Sequence, residues 1–302
     1  MIIDEVFDCV KGFSGPSDKL FGEHWIDNGY ATLDESGKVS PTSKWIDEGD
    51  EGFKHKLLPE AKRGRLHRSG NGFYVTVVPV ELFTRCRSCT VMTYLAEGSL
   101  MAMYLRKLGV PYEVSTSDNI DKSSRAEARE RLKINYVDLA LTGSQGHGQQ
   151  GEWVRNPATQ KKVASKLKNT RNRHMKGISP EKIIITCRKS LWFDKEGRTS
   201  NFAKDARLAK ARWLHKATKG TNDYRLCTHA IHVFDLNLHP AVQKFLSITE
   251  DQQDLWRQSE LIQWLYRTDL RNRDSDQEIH LHMTSKAMMK LIENWLSEDP
   301  IQ

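Results

Sequence analysis

Two histidines alternate with apolar residues in Ile279-His280-Leu281-His282-Met283, an order that puts both imidazoles on one face of a strand. A second set, Cys227, His229, His232 and Asp235, lies on or beside another strand-like run. If the two strands are neighbours, their nitrogen, sulfur and oxygen donors could take a divalent metal. Paired histidines on a half-buried strand are also ordinary polar packing. The sequence therefore assigns neither a metal nor any other cofactor. Cys86-Arg87-Ser88-Cys89 is a C-x-x-C without a second close pair. Only the distant Cys227 and His229 could complete four ligands there, and two isolated thiols near a helix start is the simpler reading.

Charge placement is the strongest signal. Residues 155–219 hold 19 Lys or Arg against four acids, a net +15 in a chain whose total is +7, so the remainder sums to about −8. A basic block inside an acidic remainder points to a polyanionic partner, nucleic acid before an acidic protein or an anionic surface. Two helix-like stretches carry it. In residues 157–176, Val163, Leu167, Thr170 and His174 form a seam, while Lys161, Lys162, Lys166, Lys168, Arg171 and Arg173 cover the rest. In residues 201–216, Phe202, Ala206, Ala209 and Trp213 form the seam, flanked by Arg207, Lys210, Arg212 and Lys216. Such helices suit phosphate contacts, which carry no sequence information, and DNA is not distinguished from RNA. Trp192 and Phe193 are the aromatics best placed to stack on bases.

In an open α/β sheet, ligands bind outside the carboxyl ends of strands. Those ends include Gly143, Ser144, Gly146, His147 and Gly148 in one Gly-rich loop, Arg188 and Lys189 after another strand, and His232, Asp235, His282 and Thr284 after two more. Glycines would let backbone N–H groups approach a phosphate while Arg188 or Lys189 offsets its charge. The loop matches neither the Walker sequence nor a dinucleotide fingerprint. An enzyme acting on a nucleotide or phosphodiester, through this loop, Arg188 or Lys189 and His232 or His282, is the alternative to plain nucleic-acid binding. A non-enzymatic assembly protein is a further alternative.

Two short resemblances accompany these residues. The His-apolar-His strand resembles the metal-binding element of rolling-circle nucleases, which implies a tyrosine nucleophile; none follows His282, and Tyr266 sits among helix-core residues. Ser115-Thr116-Ser117 with Gln150-Gly151-Glu152 resembles elements of ADP-ribosyltransferases. That resemblance implies Glu152 orienting a ribose hydroxyl and Arg85 holding phosphates, in a β-rich fold that the alternating pattern here does not match.

The elements that must position these groups follow from periodicity. Strands are expected over residues 73–83, 110–115, 136–141, 182–187, 224–234 and 278–283. Helices are expected over 90–108, 122–133, 157–176, 201–216, within 241–267, and over 284–296. The expected fold class is α/β, a mostly parallel sheet with helices on both faces, preceded by an irregular or β-rich N-terminal segment. Residues 1–70 form that segment and residues 71–302 the α/β domain. No apolar run is long enough to span a membrane, and the N-terminus lacks the basic and apolar regions of a signal peptide. Five scattered cysteines suit a reducing, cytoplasmic compartment. Apolar helical faces near the C-terminus leave a homo-oligomer or nucleoprotein assembly open.

Overall fold

The computed structural model describes residues 1–3, 7–115, 118–139, 152–215, 218 and 221–297. The chain divides into two compact units: residues 1–114 with 237–256, and residues 115–236 with 257–302.

The first unit contains the β-rich N-terminal part, as expected, and its strands pair mainly antiparallel. It contains β1 (Ile2–Ile3), β2 (Val10–Ser14), β3 (Ala31–Leu33), β4 (Val39–Pro41), β5 (Leu66–Gly70), β6 (Phe73–Val77) and β7 (Thr90–Val91). Strands β2, β6 and β5 form one antiparallel sheet, β3 and β4 a hairpin, and β1 runs parallel to β7. Phe21, Trp25, Trp45 and Tyr74 fill its core, with Trp25 stacked on Phe53 at 4.4 Å. Gly12 lets β2 approach the start of the Pro240–Leu246 helix, because a Cβ there would lie 2.6 Å from His239 Nδ1. The division falls elsewhere than residue 70. Gly70 of β5 pairs with Phe73 of β6, so cutting there would split a sheet.

The second unit is a five-stranded, all-parallel sheet flanked by helices. Its strands are β8 (Leu132–Tyr136), β9 (Ile183–Thr186), β10 (Arg212–Trp213), β11 (His229–His232) and β12 (Ile279–Met283), in the order β10-β9-β11-β12-β8. Ile183, Ile184 and Ile185 are all fully buried, which an apolar run in a sheet covered on both faces requires. Ile231 packs in one cluster with Val163 and Leu167 of the Pro157–His174 helix. Its neighbour His232, on the opposite face, meets Trp264 edge-on at 5.4 Å. Arg131 closes the Asp118–Arg131 helix and ties down the chain before β12. Its guanidinium bonds Asp269 Oδ2 at 2.9 Å, Glu127 Oε1 at 2.8 Å and the Gln277 carbonyl at 3.0 Å.

Several boundaries differ from the periodic reading, each for a local reason. The helix expected over 90–108 begins only at Leu100, because Leu95 is left-handed (φ 52°) and Ser99 caps the new start by accepting from Ala102 N. Residues 110–115 join no ladder. The strand placed at 136–141 is instead β8, entered directly from the preceding helix. Ser247, left-handed at φ 54°, separates the helices Pro240–Leu246 and Glu250–Leu265.

The largest correction falls on residues 201–216. The helix stops at Asp205, Arg207 takes φ 56°, and the chain re-enters the sheet as β10. Leu208 N donates to the Ala203 carbonyl and Arg207 N to the Lys204 carbonyl, both at 3.0 Å, the paired bonds of a Schellman ending. Burial of Leu208 is the driving contact, since a continuing helix would carry it out of the core.

Candidate nucleic-acid interface

From β9 the chain moves outward to β10, whereas from β11 it moves the other way to β12. Adjacent parallel strands whose exits diverge make a crevice at their carboxyl ends. Residues that follow β9 and β11 therefore occupy the position where such folds bind ligands. These include Arg188, half-buried, and Lys189, exposed, after β9, and the half-buried Asp235 after β11. Burial lowers the pKa of Arg188, and the nearby Arg155 charge adds to the effect. Arg155 itself is exposed, and two like charges near one another favour an anion between them. Arg155 opens the basic block, but its charge alone does not distinguish it from the other cations there. The local signal for its position is Asn156-Pro157. Asn156 Oδ1 accepts from Ala158 N at 3.0 Å and Thr159 N at 3.1 Å, so Arg155 stands just before the long helix.

That helix, Pro157–His174, is as expected from sequence. Val163, Leu167 and Thr170 are buried, while His174 ends the seam exposed. Its start lies by Arg188 at the carboxyl edge, and its end lies by His282 of β12. Lys162, Lys166, Asn169 and Arg173 recur at i, i+4, i+7 and i+11, and all four are exposed. They form one outward stripe, with Lys161 exposed alongside it. Among the described residues none of the stripe's three cations pairs with a carboxylate. Two other candidates are spent internally or partly covered: Arg171 donates to the Ile178 carbonyl at 2.7 Å, and Lys168 is half-buried.

The second basic segment does not present a helical face. Arg207 and Lys210 are exposed on turns, while Arg212 donates to the Asp223 carbonyl at 2.5 Å and lies over the Tyr224 ring at 4.5 Å. Trp192, expected as a surface aromatic, is core at 2% exposure. Trp213, expected in a helix seam, is half-buried on β10 beside Phe193.

The histidine strands are indeed neighbours, His229 opposite His280 and His232 opposite Met283. Side-chain alternation then divides the set. His229, His280 and His282 share one face, and His232 lies on the other, so the four cannot surround one ion. On the shared face His229 stacks on His280 at 4.8 Å, and His174 leans on His282 at 5.4 Å. Burial, with His280 beside it, pushes the His229 pKa down to about 4. Burial, with His174, His229 and His280 around it, pushes His282 down to about 3. His282 is fully enclosed, and among the described residues neither ring nitrogen has a hydrogen-bond partner. Cys227 donates to the Glu181 carbonyl at 3.2 Å. Among the described residues no three His, Cys, Asp or Glu side chains are arranged to hold a metal ion.

The glycine loop with Gly143, Ser144, Gly146, His147 and Gly148 lies outside the described residues, as do Thr116, Ser117, Gln150 and Gly151. Cys86, Cys89 and Arg85 belong to the first unit, whereas Cys227, His229 and Glu152 belong to the second. The all-parallel sheet also departs from the β-rich fold that the ADP-ribosyltransferase resemblance implies. Among the described residues no helix is long and apolar enough to cross a membrane.

The chain is similar to the SPbeta prophage-derived uncharacterized protein YonV of Bacillus subtilis (strain 168), 24% identical over 326 residues, covering 98% of this chain and 73% of the relative. No solved structure matches it. Residues 126–296, which hold all five strands of the parallel sheet and the basic helix, match the YonV C-terminal Rossmann-like domain, and the chain belongs to that family.

Proposed function

We propose that the parallel-sheet unit binds nucleic acid through phosphate contacts, with the outward stripe of the Pro157–His174 helix as its main surface. The supporting observation is the stripe itself. Lys162, Lys166 and Arg173 are exposed along one helical face, and among the described residues no carboxylate neutralises them. Twelve residues of helix, from Lys162 to Arg173, carry these charges over about 16 Å. Lys161, Lys189, Arg207 and Lys210 add exposed positive charge in the same segment of the chain. The contacts are to backbone phosphates and do not discriminate DNA from RNA. All five cysteines are free, which fits a reducing, cytoplasmic setting.

Salt dependence tests this reading. Each phosphate neutralised on duplex DNA contributes about −0.9 to the slope of log affinity against log salt. Replacing Lys162, Lys166 and Arg173 by Ala should therefore flatten that slope by roughly 2.7, and alanine is well tolerated on an exposed helix. Binding whose slope is the same for the wild-type protein and the triple variant would sink the proposal.

A further inference from the structure

The carboxyl edge of β9 carries two features that the stripe does not use. One is Arg188, with the exposed Arg155 near enough for its charge to act on it. Among the described residues neither is paired with a carboxylate, and Arg188 is half-buried. The other is an aromatic shelf on the adjacent strand. Trp213 donates its Nε1 hydrogen to the carbonyl of Cys187 at 3.0 Å, which fixes the indole one residue from Arg188. Phe193 supports that indole edge-on at 5.5 Å, and the exposed His215 ring lies 5.9 Å from it, tilted by 54°. Asp235 follows β11 and Asp138 follows β8, while Asp194, which follows β9, is bonded to Arg198. Cations and rings are thus gathered on the β9–β10 side.

We propose that this corner is a nucleotide site, in which Arg155 and Arg188 take a phosphate and the Trp213–His215 shelf stacks the base. The chemistry suits both partners. Two guanidiniums offer forked donors to phosphate oxygens. A half-buried indole beside an imidazole offers a π-face to any base without choosing among them. A nucleoside 5′-phosphate supplies both groups, free or as the end of a nucleic-acid strand. The inference rests on the same reading of this unit as a phosphate binder, yet uses none of the stripe's residues.

The test is a thermal-shift titration of the full chain with AMP, GMP, CMP and UMP, with adenosine and inorganic phosphate as partial ligands. Bound ligand raises the melting temperature, because it stabilises the folded chain by RT ln(1 + L/Kd) at free ligand concentration L. The four monophosphates should each raise it at millimolar concentration, more than adenosine or phosphate alone. Arg155→Gln with Arg188→Gln should weaken the response at least tenfold, and His215→Ala should weaken it severalfold. Trp213→Phe should abolish the nucleotide-dependent quenching of tryptophan emission. If that variant fails to fold for want of the Cys187 bond, the exposed His215 carries the shelf test. K162A/K166A/R173A should leave the mononucleotide response intact, so failure of the stripe and failure of this site are distinguishable. A 5′-phosphorylated oligonucleotide binding tighter than its 5′-hydroxyl form would assign the site to strand ends, and equal binding would assign it to free nucleotides. No shift with any monophosphate, or a shift unchanged in the double arginine variant, overturns the proposal.

Discussion

Acid should unfold the parallel-sheet unit through its buried imidazoles. His229 and His282 are both held neutral by burial and by the histidines around them, with Arg171 also opposing a charge on His229. The folded pKa values of about 4 and about 3 lie below the unfolded value of 6.5, so the unfolded chain takes up protons first as pH falls. The stabilisation is complete above about pH 6.5 and is lost on the way down towards the folded values. At pH 5, one and a half units below the unfolded pKa, each histidine removes about 2 kcal/mol, or about 4 kcal/mol together. That is a large share of the stability of a typical domain. Urea unfolding at pH 7 and pH 5, followed by circular dichroism, measures the loss. His282→Leu removes one of the two titrations and an imidazole with no hydrogen-bond partner among the described residues. It should leave stability at pH 7 the same or higher and reduce the pH 7 to 5 loss by about 2 kcal/mol. An unchanged loss in this variant would refute the assignment of acid sensitivity to the buried ring.

Two further outcomes follow from backbone and ion-pair geometry. Arg131→Met strands the carboxylate of Asp269, whose side chain is 6% exposed. It should destabilise the unit by about 3–5 kcal/mol in denaturant unfolding, as removal of one partner from a buried pair does. Arg207→Gly relieves a non-glycine residue at φ 56° and should raise the melting temperature, corresponding to up to about 1 kcal/mol. In an uninterrupted helix over 201–216 the same change would cost about 1 kcal/mol, so the sign of the effect decides between the two backbones.

Much of the parallel sheet is legible in the sequence because its signals are local. The isoleucine run of β9, the His-apolar-His alternation of β12 and the Asn-Pro start of the basic helix each state their conformation within a few residues. Strand alternation by itself also requires His229 and His232, three residues apart, to face opposite ways. The stripe of Lys162, Lys166 and Arg173 is legible for the same reason, since helical spacing alone makes it continuous.

Other features depend on partners distant in sequence. The 201–216 segment has a good helical pattern, yet it turns at Arg207 because Leu208 must be buried against a core that also contains Val163, Ile183 and Ile231. The same turn delivers Trp213 to an edge strand, where the Cys187 carbonyl receives its indole hydrogen. Strand order is invisible to periodicity, and only that order makes the exits from β9 and β11 diverge. Composition and periodicity thus determined that a basic, parallel α/β unit exists and that residues 157–174 form a helix displaying part of its charge. Tertiary packing decided which cations stay exposed, because placing Arg155 near enough to act on Arg188 and covering Arg212 join segments with no shared local code.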